Sequence, residues 1–185
     1  MPTDTQILPL DPSAVEEYPL AADYRLREDR CVVELSIRPL GRPVLRGRLT
    51  ATDGHFDLTG QGDGHQFALT MTAVSLRTNV PLLHKVLTGR TALRAADFAE
   101  IAFTSSDIIL DENRALDIVG QVELRGMTRE VRLRGDIRHA DAASVVVWAA
   151  GSLPAPRRKP RGIGRLASLL AKRRIHLEIA VEFTR

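Results

Sequence analysis

One cysteine, few aromatic residues and no long apolar run set the first limits on this chain. The lone thiol, Cys31, excludes an internal disulfide and a cysteine metal cluster. It alternates with Val33, Leu35 and Ile37, the pattern of a buried small hydrophobe rather than a nucleophile. Aromatic residues make up 4% of the chain against 44% hydrophobic residues in total, so the interior must be mostly aliphatic. No window approaches the roughly 18 apolar residues of a spanning helix. The opening MPTDTQILPLDPSAVEEYPL lacks the cationic start and continuous apolar stretch of a secretory leader, which predicts a cytoplasmic protein.

Catalytic patterns are scarce as well. The histidines His55, His65, His84, His139 and His176 are scattered, and none stands four residues from another. No serine occupies a nucleophile elbow. The glycine-rich GQGDG at 60–64 has neither a following helix nor a closing lysine, as a phosphate loop would. The expectation is a non-enzymatic protein with no cofactor and no bound metal.

What the chain does have is alternation. The length of 185 residues fits one domain with a sizeable core. Residues 1–22 hold four prolines and no consistent period, and read as a tail or arm ahead of a domain spanning 23–185. A first strand sets Cys31, Val33, Leu35 and Ile37 against Glu34, Ser36 and Arg38. A second begins near Val44 and carries Leu49, with Asp53-Gly54 as a kink or turn before Phe56. A third places Phe67, Leu69, Met71 and Ala73 on one face, ending before Val74.

Pro81 then opens a short helical segment, Leu82 to Leu87, stopped by Gly89, and a brief turn spans Ala92 to Phe98. Ile101 and Phe103 start a fourth strand that continues to Leu110. Two further strands alternate cleanly, with Leu116, Ile118, Val122 and Leu124 on one and Val131, Leu133 and Ile137 on the other. A seventh strand, Ser144 to Ala149, contains Trp148, and the last sets Ile175, Leu177, Ile179, Val181 and Phe183 against His176, Glu178 and Glu182.

Eight strands with short turns and one apolar side imply antiparallel pairing, as a sandwich or as a barrel. Closure removes the exposed edges of an open sheet, so an all-β, eight-stranded antiparallel barrel with short helical connectors is expected. A barrel of that size is filled by its own side chains or holds one small ligand. The candidate lining begins with Val33, Leu35, Ile37 and Leu49, and continues with Phe67, Leu69, Met71 and Phe103. Leu83 and Leu87 join it from the helical segment, and Ile118, Val122, Val131, Leu133, Leu177 and Ile179 complete it. His84, near the barrel mouth, is a candidate contact for a lipid headgroup.

Charge is unevenly distributed. Residues 157–174 carry eight Lys/Arg and no acid, whereas the whole chain has a net charge of only +3, so the remainder is at −5. If helical, this insertion puts Ile163, Leu166, Leu169 and Leu170 on one broad face. Arg157, Arg158, Lys159, Arg161 and Arg165 lie toward its start, and Lys172, Arg173 and Arg174 at its end. Such a segment can dock on an anionic membrane at its inner face or close one end of the barrel. No aromatic residue is interleaved to stack on bases, so nucleic acid is not expected as a partner. Oligomeric state is not legible, and a homodimer stays open.

The order of the central pieces resembles the YceI-like family. They are Val74-Ser75-Leu76-Arg77-Thr78, Leu93 to Phe98, Ile101-Ala102-Phe103-Thr104-Ser105, Gly120-Gln121-Val122-Glu123-Leu124 and the turn Arg125 to Val131. The resemblance covers about Tyr24 to Arg185. It implies an extended lipocalin-like barrel that binds polyisoprenoid chains, with an isoprenoid or other lipid as the partner. The chain departs from the family pattern at Cys31, Pro39 and Arg125, where serine, histidine and histidine are usual.

Overall fold

The computed structural model describes residues 22–38, 43–57, 65–81, 83–90, 92–153 and 174–185. The expected tail over 1–22 and the basic insertion over 157–174 lie outside these, Ala22 and Arg174 apart. Eight strands follow in chain order. They are β1 (Asp23–Ile37), β2 (Leu45–Asp57), β3 (Gln66–Thr78), β4 (Glu100–Leu110), β5 (Ala115–Leu124), β6 (Met127–Ala140), β7 (Ser144–Leu153) and β8 (Ile175–Thr184). One helix, α1 (Leu83–Thr88), lies between β3 and β4.

Each strand pairs antiparallel with its neighbour in sequence, and β8 returns to β1, closing the barrel. Val33 faces both Leu49 of β2 and Ile179 of β8, so the first strand has no free edge along this stretch. The strands run 10 to 15 residues. At about 3.3 Å per residue they span roughly 33–50 Å, which makes the barrel long for its circumference. The fold is the eight-stranded, lipocalin-like antiparallel barrel expected from the alternation.

Local chemistry explains the corners. Arg125 and Gly126 both have positive φ, 58° and 67°, which lets a two-residue turn follow the twist of β5 and β6. The carboxylate of Asp111 accepts from the backbone N–H of Asn113 and Ala115, closing the β4–β5 turn around Arg114 at φ 64°. Asp141 does the same for Ala143 and Ser144 between β6 and β7. α1 starts two residues after Pro81 and ends just before Gly89.

Three expectations need correcting in their boundaries. Of the two readings of Asp53-Gly54 the turn fails and the kink holds, since β2 passes through with a register shift between Ala51 and Asp53. β3 does not stop at Ala73 but continues through Val74–Thr78, pairing Arg77 with Arg48 and Thr78 with Gly47. A second irregularity, between Arg48 and Thr50, turns Val74 outward at 67% exposure and brings Leu76 inside at 3%. β7 likewise runs beyond Ala149 to Leu153.

Candidate functional site

The barrel has two different ends. At one, the chain enters β1, leaves β8 and makes the β2–β3, β4–β5 and β6–β7 connections. Its interior is filled by rings: Tyr24, Phe56, Phe67 and Phe183 have no exposure and Phe103 has 1%. Phe56 stacks on Phe183 at 5.6 Å between centroids, and Phe67 meets the edges of both at 5.9 and 5.8 Å. Phe103 completes the group at 5.6 Å from Phe67. Offset and edge-on ring pairs of this kind add to the burial they share.

The other end carries α1 and the β1–β2, β5–β6 and β7–β8 connections. Here Ile37, Leu45 and Leu83 form a separate small cluster, with Val80, Val86, Leu87 and Ile175 packed against it. Three inward-alternating side chains at this end keep contact with solvent. Leu35 is only half-buried although Val33 and Ile37, on the same side of β1, are buried, and Leu153 and Ile175 are half-buried too. The wall at these levels includes small residues: Gly47 opposite Leu35, Gly151 opposite Leu177, and the buried Ala73 and Ala149. The space at Gly47 is entered by Leu76, whose Cδ1 would lie 3.0 Å from an added Cβ.

The residues expected to line a cavity all lie in these two regions. Phe67 and Phe103 belong to the ring-filled end, and Leu69, Ile118 and Leu133 are likewise at 1% exposure or less. Val33, Leu49, Met71, Val122, Val131, Leu177 and Ile179 are buried in the same continuous core. Leu35 and Leu87 are partly buried against that core, and Leu83 and Ile37 sit in the small cluster by α1. His84 is half-buried on α1, where its carbonyl accepts a hydrogen bond from Thr88 Oγ1 at 2.8 Å. Sequence reasoning placed Ala73 on the inner face but left Ala51, Ala149 and Gly151 out of the lining, because small residues give a weak hydrophobic signal.

Polar chemistry lies mostly outside. A shallow groove of about 270 Å³ runs between Phe98–Glu100 and Glu123–Gly126, with Arg125 beside it. The Nε of Arg125 is buried with no hydrogen-bond partner among the described residues. Burial pushes the Cys31 thiol up to about 11, which keeps it protonated and unreactive at neutral pH. Arg132 makes a two-pronged contact with Asp117, at 2.7 and 2.6 Å, and holds that carboxyl below its usual range. Among the described residues no three His, Cys, Asp or Glu side chains are grouped to hold a metal, and no helix is long and apolar enough to cross a membrane.

A closed eight-stranded barrel with oily side chains inside and ion pairs outside defines the class: a small lipocalin-like barrel domain. The model of the YceI-like domain matches residues 24–183, and the chain belongs to that family. Solved structures with the same fold include BcnA of Burkholderia cenocepacia, with a TM-score of 0.67 and 13% identity over 85% of this chain and 98% of that one. A polyisoprenoid binding domain from Saccharophagus degradans implicated in plant cell wall breakdown gives 0.63 and 13% identity over 89% and 98%. The YceI protein of Campylobacter jejuni gives 0.53 and 13% identity over 82% and 84%. No curated protein matches the sequence.

Proposed function

We propose that this protein binds an isoprenoid or similar hydrocarbon-tailed lipid inside the barrel, as a carrier or store rather than a catalyst. The observation that carries the reading is the gradient along the interior. Rings form a solid floor at one end, while Leu35, Leu153 and Ile175 stay partly exposed toward α1 at the other. A flexible tail without hydrogen-bonding groups suits such a wall, since each buried CH₂ is worth about 0.8 kcal/mol before ordering costs. The name given to the Saccharophagus domain supports an isoprenoid as the ligand class.

The basic insertion at 157–174, which by its sequence can dock on an anionic bilayer or close one end of the barrel, falls in the connection between Leu153 and Ile175, a paired set at the α1 end. That placement supports loading and release there. The test is native mass spectrometry and solvent extraction of the purified chain, followed by titration with a fluorescent prenyl probe in solution without vesicles. Co-purified lipid or saturable probe uptake is expected. A clean apo mass with no uptake would overturn the carrier reading in favour of a ligand-free interaction domain, which the packed Phe56, Phe67, Phe103 and Phe183 interior would suit equally well.

A further inference from the structure

The two ends also differ in charge. Taking the described turns with the three terminal residues of each strand, the α1 end has nine Lys/Arg and three Asp/Glu. The far end has four and seven by the same count. Over all described residues the two signs balance at eighteen each, so this is a separation along the barrel and not an excess.

Some cations at the α1 end are paired, as Arg94 is with Asp97 at 2.7 Å, but others are held loosely or not at all. Arg38 reaches Glu178 at 3.5 Å and Arg46 reaches Glu34 at 3.9 Å, both long contacts. Arg77, Lys85, Arg90 and Arg174 are exposed and make no ion pair among the described residues. Within this ring lies an apolar tip. Val44 is 50% exposed, Pro43 and Pro81 are exposed beside it, and the Ile37, Leu45 and Leu83 cluster lies beneath. Asn79 ties the tip together: its N–H donates to Arg46 O, its Oδ1 accepts from Arg46 N–H, and its Nδ2 donates to Val44 O.

We propose that the α1 end of the barrel docks on an anionic membrane surface, with Val44 and the flanking prolines entering the headgroup layer and the ring of cations resting on it. Charge complementarity names the occupant. An exposed β-branched side chain at the same end of the barrel as four cations without ion pairs gains on both counts at such a surface, and in water it gains on neither. Docking in this orientation sets the partly exposed Leu35, Leu153 and Ile175 toward the bilayer, giving a hydrocarbon tail a path that avoids water. The inference goes beyond the carrier reading and stands apart from it, because docking is measured without a ligand and uptake without a membrane.

The test uses the full chain and phosphatidylcholine vesicles with and without phosphatidylglycerol. Flotation should recover the protein only with the anionic vesicles, and less of it as salt rises. Arg77→Glu, Lys85→Glu and Arg90→Glu combined should lower the partition coefficient at least a hundredfold, because three cations are lost at about 1 kcal/mol each and three anions repelled by the surface replace them. Residues 154–173 stay intact in that variant, so unchanged partition would overturn the proposal even if the insertion binds membrane by itself. Orientation is read with an environment-sensitive dye on Val44→Cys, and separately on Asn113→Cys at the far end; the protonated Cys31 leaves labelling selective. A blue shift at position 44 alone is expected. A shift at 113 alone, at both positions or at neither would overturn the proposed orientation.

Discussion

The ring-filled end and the α1 end share the same eight strands and the same in–out alternation, yet they serve opposite ends of the energy balance. In the first, four phenylalanines and Tyr24 lose all contact with water and lock the strands together. In the second, aliphatic side chains of the same period stay partly wet, beside glycine and alanine. The difference shows that period alone assigns a residue to the inside of a barrel, while its level along the barrel decides how far it is shielded from water.

The comparison can be broken most sharply at the ring end. Phe67→Ala removes a ring that touches three others, and should cost about 3–5 kcal/mol in urea or thermal unfolding. A loss below about 1 kcal/mol would mean that these rings are not the floor of the barrel. At the α1 end, Leu35→Trp should change stability by less than about 1.5 kcal/mol, because the side chain is already half-exposed. The same change should weaken prenyl-probe uptake at least tenfold by narrowing the mouth. Equal losses of stability from the two substitutions would erase the distinction between the ends.

The smallest effect is expected at the β6–β7 turn of the ring end. Hydrogen bonds from His139 and from the backbone N–H groups of Ala143 and Ser144 lower the Asp141 carboxyl to about 2 from an ordinary 3.8. A depressed carboxyl stabilises the fold above its unfolded value and loses that contribution as pH falls from about 4 through about 2. Asp141→Asn should therefore flatten the acid limb of the stability–pH curve in that window. The α1 end, unaffected by this turn, should keep its probe uptake at neutral pH.

Much of this architecture is legible in the chain. Alternation marks most of the eight strands and a uniformly apolar run marks the seventh, Gly126 marks a hairpin, and Pro81 with Gly89 brackets α1 to within about two residues. Two of the misjudged stretches, in β2 and β3, share one cause. At Ala51–Asp53 and again near Thr72–Val74 the strands slip register, so the alternation breaks while the hydrogen-bonded ladder carries on. A period-two reading takes such a slip for an ending.

The site is less legible. The large apolar residues announce themselves, but Ala51, Ala149 and Gly151 do not. The charge separation depends on which strand ends lie together. Arg46 and Arg77 are thirty-one positions apart in sequence and become neighbours of the same tip only through the β2–β3 register.

Closure has a consequence for how the molecule comes to exist. Seven of the eight strand pairings join segments that follow one another, whereas β1 must find β8, and Leu35 lies 142 positions from Leu177. Loop-closure entropy makes that pairing the slow one. Until it forms, the chain is a curled sheet with two naked flanks, and β8, the second flank, is the last of the eight strands to be made. The nascent protein is therefore most prone to join with copies of itself in the interval before its final strand docks.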